Sequence, residues 1–176
     1  MEITGAAYLY TVALIGITFI GFSAIVMMLR QTSSRPLEPF DILIAHVYME
    51  FGLVLSMGSL LPPLFSFWGL GPQTVWRVSS ALVGMPLVLI SVTYPSRRRK
   101  AKPEALPWYT IFNIGIAILI GLVFVGNACG IVQEQMPAIY LSAITTFMAF
   151  AIASWLRASH MPTSHRYLLT NPMYLL

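Results

Sequence analysis

The sequence predicts an all-α polytopic membrane protein, a bundle of five transmembrane helices with its N-terminus outside and its C-terminus inside. Three observations carry this expectation. Hydrophobic residues make up 57% of the 176 positions and charged residues only 9%, where a soluble globular domain carries about 25% charged residues. Five apolar runs, 6–29, 40–61, 74–94, 108–132 and 137–156, each reach the roughly 20 residues that cross a bilayer. The basic residues also divide unevenly between the two sides that these runs define.

The first run holds no ionisable residue. It lacks the basic flank and the small-x-small cleavage pattern of a secretory signal and is 24 residues long, so it reads as a permanent helix. Pro36 and Pro39 make the connection to the second run irregular. The second run carries His46 and Glu50, the only ionisable groups deep inside any span, and Pro62-Pro63 are expected to end it. A Gly- and Pro-rich loop, SFWGLGPQ, leads to the third run, where Pro86 removes one helical hydrogen bond and is expected to kink the helix. The fourth run contains Asn113 and Asn127, about 40° from eclipse on an ideal helix and so on one face near opposite ends. The fifth has only hydroxyls as polar groups and leads into a short polar tail, 157–176, expected to be cytoplasmic and loosely ordered.

Small residues recur four apart, as Gly52 and Ser56, Ser80 and Gly84, Gly126 and Gly130, Ser142 and Thr146, and Ala149 and Ala153. Such spacing lets helices approach closely. No connection is long enough for a soluble domain with its own core, so residues 1–176 read as a single membrane domain. Five helices do not divide into equal inverted halves, which excludes the usual secondary-transporter repeat within one chain.

The orientation follows from the ten Lys and Arg residues. Arg30, Arg35, Arg97, Arg98, Arg99, Lys100, Lys102, Arg157 and Arg166 fall on one side and only Arg77 on the other. The positive-inside rule makes the first side cytoplasmic, as expected in a plasma (inner) membrane. The net charge of +4 therefore follows the bilayer and points to no nucleic acid. The cluster 97–102 fixes orientation and is placed to contact anionic lipid headgroups through Arg97, Arg98, Arg99, Lys100 and Lys102. Trp68, Trp76, Trp108 and Trp155 lie near span ends, as interfacial anchors do.

Glu50 is the eleventh residue of its 22-residue run, hence near the expected middle of the membrane. A carboxylate there costs about 2.5–3.5 kcal/mol on insertion scales, so it marks a candidate functional site with a partner or water nearby. His46 lies one turn earlier on the same face and brings an imidazole, a side chain able to take up and release protons. The pair could relay protons, or copies of Glu50 could ring a cation pore. Asp41 and Glu38 would extend an acidic path toward the inner mouth, and Asn113 and Asn127 could line it. Arg77, near the outer interface, is about 16 Å of helix away from Glu50 and is expected to snorkel outward or to pair with Glu134 instead.

Other chemistries find less support. The single cysteine, Cys129, excludes an intrachain disulfide and a cysteine-rich metal site. His46 and Glu50 fall short of the three ligands a zinc site wants, and His160 and His165 lie in the tail, so no metal or other cofactor is expected. HVYME at 46–50 is not the HExxH of zinc proteases, and no nucleophile elbow, Walker loop or dinucleotide fingerprint occurs. NPMY at 171–174 has the form of an adaptor-read tail signal but is too short a match to carry weight. The leading expectation is an ion- or proton-conducting protein acting as a homo-oligomer in the lipid bilayer, with Glu50 as its key group and His46 as modulator. A scaffold or accessory subunit of a larger complex is the second expectation. An enzyme acting on an apolar substrate, with His46 and Glu50 as acid and base, is the third.

Overall fold

The computed structural model describes residues 5–32, 39–103, 105–131 and 133–159. Apolar composition and length produce five α-helices: α1 (Ala6–Thr32), α2 (Pro39–Phe67), α3 (Pro72–Ala101), α4 (Trp108–Ala128) and α5 (Met136–Ser159), with one 3-10 turn at Gln133–Gln135. All five are long and apolar enough to cross a membrane, which marks an integral membrane protein. Arg35, Pro36 and Glu38, and the tail with His160, His165, Arg166 and the 171–174 motif, lie outside the described residues. So does the side chain of Arg30.

Successive helices run antiparallel, so α1 and α5 run parallel. Tyr8 of α1 bonds Thr145 of α5, and further along both helices the Phe19 and Phe22 rings meet Trp155. The C-termini of α1, α3 and α5 therefore share one end with the N-termini of α2 and α4. Arg97, Arg98, Arg99, Lys100 and Arg157 stand there, and it is called the basic end below. The centre is filled by Tyr140, Phe124, Phe147, Leu87, Ile144 and Val83, all fully buried. Outward faces are apolar too: on α3, Val78, Leu82, Met85, Leu89 and Val92 form one exposed stripe at helical spacing, which suits a helix facing lipid.

Three helix ends differ most from the sequence expectation, those of α2, α3 and α4. α2 continues through Pro62 and Pro63 to Phe67. Pro62 has no N–H, which frees the carbonyl of Gly58 four residues back. The Tyr140 hydroxyl on α5 donates to that oxygen at 2.5 Å, so a neighbouring helix supplies the missing bond. α3 also runs past Pro95 to Ala101; there the Ser91, Thr93 and Ser96 hydroxyls bond the Leu87, Leu89 and Thr93 carbonyls of the same helix, none of which is the carbonyl that Pro95 frees. α4 ends at Ala128 rather than 132 because Gly130 takes φ +75°. Its N–H bonds the Asn127 carbonyl and that of Ile131 bonds the Gly126 carbonyl, the paired bonds of a Schellman stop.

Small residues set the closest crossings. A Cβ on Gly84 would meet Phe124 Cβ at 2.8 Å and the Gly121 carbonyl at 3.1 Å, and a Cβ on Gly58 would meet Val83 at 2.6 Å. Gly16 and Gly52 face one another across α1 and α2, each within 3.3 Å of the other's carbonyl by the same measure. The spacing pattern in the sequence picks out Gly52 and Gly84 but passes over Gly16 and Gly58, which have no small partner four residues away.

Candidate functional site: an ion pair on the flank of the bundle

Glu50 is joined to Arg97. The guanidinium donates from Nη1 to Oε2 and from Nη2 to Oε1, both at 2.8 Å, a two-point fork between planar groups. The contact between Gly58 and Val83 sets the α2–α3 register, and by it Arg97 lies about six residues, or about 9 Å, nearer the basic end than Glu50. Side chains lean toward the N-terminus of their own helix. In an antiparallel pair Glu50 therefore leans toward the basic end while Arg97 leans away from it, and the two close the gap from opposite sides.

The sequence reading places Arg97 in a loop beyond a span ending at 94, where it cannot be matched with Glu50. Continuation of α3 to Ala101 brings it onto the helix. The signal was available: Ser80, Val83, Leu87, Ser91, Tyr94 and Arg98 keep helical spacing past the expected end.

The pair does not occupy the bundle's centre. The Glu50 and Arg97 side chains are 35% and 33% exposed, and His46 one turn away is exposed. These polar groups interrupt the otherwise apolar outward face of α2, formed by Ile42, Leu53, Met57 and Leu64. Asp41, in the first turn of α2, is half-buried and engaged in an interaction of its own.

The remaining candidates lie apart from this flank. Asn127 is buried near the opposite end, where Nδ2 donates to Ser80 Oγ at 2.8 Å and to the Met136 carbonyl at 3.2 Å. It ties α3, α4 and the start of α5 together. Asn113 is half-buried at the other end of α4. Arg77 lays its guanidinium over Gly130, on the space a Cβ would fill.

The cationic cluster itself divides. Arg99 and Lys100 are exposed, whereas Arg98 is 5% exposed, its guanidinium 5.4 Å from the centre of the Phe40 ring. Lys102 stands 5.9 Å from the same ring. Position 98 is the last member of the buried stripe Ser80, Leu87, Ser91, so the phase of the helix buries one arginine and exposes its neighbour.

Neither a family model, nor a curated protein, nor a solved structure matches the chain.

Proposed function

We propose that the chain is a non-catalytic membrane scaffold or accessory subunit, inserted N-out and C-in in the plasma (inner) membrane, that docks partner transmembrane helices on the outward face of α2. One observation carries the reading: among the described residues, the only carboxylate deep in a helix is neutralised within its own chain by Arg97 yet stays one-third exposed on the flank. A neutral, forked pair is a weak attractor for cations. It remains a good hydrogen-bonding surface for a polar side chain on a neighbouring helix, where such bonds contribute about 0.6 kcal/mol each. Exposed His46 enlarges the same surface.

Conduction is the second reading, favoured by the same exposure. If copies of the chain gathered through α2, their Glu50–Arg97 pairs and His46 would face a common axis, and opening the pair would present a ring of carboxylates. The deciding experiment reconstitutes the purified protein in vesicles and measures proton and cation flux alongside subunit number. The scaffold reading expects flux no greater than in empty vesicles and no sharp homo-oligomer. Flux that disappears in Glu50→Gln, from a discrete homo-oligomer, would instead establish conduction.

A further inference from the structure

We infer that Arg98 is the seat of a specific anion site at the basic end, one that takes the phosphate of an anionic lipid headgroup or a free phosphate of the same chemistry. Arg98 is a cation nine-tenths withdrawn from solvent, and its Nε and Nη1 donors have no hydrogen-bond partner. Buried donors without acceptors are rare and call for an acceptor. The ring of Phe40 covers the guanidinium at 5.4 Å, but an aromatic face attracts the charge and leaves in-plane N–H groups unanswered. The carboxylate of Glu50 is committed, both oxygens to Arg97.

The surroundings select an anion. Lys102 approaches the same Phe40 ring, and Arg99 and Lys100 are exposed on the adjoining turn, so the corner concentrates positive charge. Phe40 is the second residue of α2 and only half-buried, so a turn of its side chain opens the guanidinium toward the end of the bundle. Guanidinium presents a planar fork that matches phosphate oxygens. Three arginines in a row thus have three roles: Arg97 closes on a carboxylate, Arg98 awaits an acceptor, and Arg99 samples solvent.

The test measures lipid retention and thermal stability of the full chain in phosphatidylcholine nanodiscs titrated with phosphatidylglycerol or with inorganic phosphate. We expect one phosphatidylglycerol per chain to survive exchange in native mass spectrometry and to raise Tm. Arg98→Gln should weaken that binding at least tenfold, about twice the roughly fivefold loss of one generic surface charge that Arg99→Gln should show. Phosphate shifting the wild type but not Arg98→Gln supports the same site with a soluble occupant. Equal losses in Arg98→Gln and Arg99→Gln would overturn the site in favour of diffuse surface charge. If Arg98→Gln does not fold, the wild type decides: no retained phosphatidylglycerol and no response to phosphate would rule the site out.

Discussion

The Tyr140 hydroxyl donates to the Gly58 carbonyl at 2.5 Å, the one backbone oxygen that Pro62 deprives of its helical partner. A proline on α2 and a tyrosine on α5 are thus linked through a third residue that neither contacts in sequence. The linkage predicts non-additivity. Tyr140→Phe should destabilise by about 1 kcal/mol, within the range of interhelical hydrogen bonds in membranes. In the background of Pro62→Ala, which restores the N–H, the same change should cost less. Equal costs in the two backgrounds, measured by unfolding in detergent, would show that the bond does not compensate for the proline.

The Glu50–Arg97 pair predicts a similar coupling. Breaking either side leaves a charge on the flank without its partner, so Glu50→Gln and Arg97→Gln should each lower stability by about 1 kcal/mol, the modest scale set by partial exposure. The double variant should be no worse than the poorer single, and exchange of the two residues should recover much of the loss. Thermal unfolding of the wild type and these four variants measures this, and strictly additive losses would exclude a direct pair.

Gly84 and Gly115 lie on helices that pack together but should respond in opposite ways to alanine. A Cβ at Gly84 meets Phe124 Cβ and the Gly121 carbonyl, whereas nothing lies within 4 Å of one at Gly115. Gly84→Ala should therefore force α3 and α4 apart at about 1–3 kcal/mol. Gly115→Ala should be neutral or stabilising, since alanine is the better helix former by about 1 kcal/mol. A comparison of melting temperatures separates the two.

Gly130 combines a left-handed φ of +75° with the overlying Arg77 guanidinium. Gly130→Ala should cost about 1–2 kcal/mol for the backbone alone and more from the collision. Pairing it with Arg77→Ala should return only the collision part. A full recovery in the double variant would mean that the backbone conformation is not strained for alanine.

Cys129 is the sole cysteine and is exposed at the end opposite the basic cluster. With the basic end inside, a membrane-impermeant maleimide should label it in intact cells without permeabilisation. Labelling only after permeabilisation would reverse the proposed orientation.

The number of membrane-length helices and their approximate limits are legible in the order of residues, because twenty consecutive apolar residues have one stable home and length alone reveals them. That order also isolates Glu50, because a carboxylate among apolar residues stands out without knowledge of its neighbours. Tertiary structure alone decided what that carboxylate meets. The Arg97 contact depends on α3 continuing past Pro95 and on two antiparallel helices leaning side chains toward each other. Helix passage through Pro62 was equally hidden, because the compensating donor sits 78 residues later, at Tyr140. Arg97, Arg98 and Arg99 are identical in one-dimensional chemistry, and rotation of about 100° per residue gives them a carboxylate, an aromatic cover and solvent in turn. Apolar length is a property of the chain itself. Pairing, burial and compensation are properties of neighbours, which the chain acquires only when it folds.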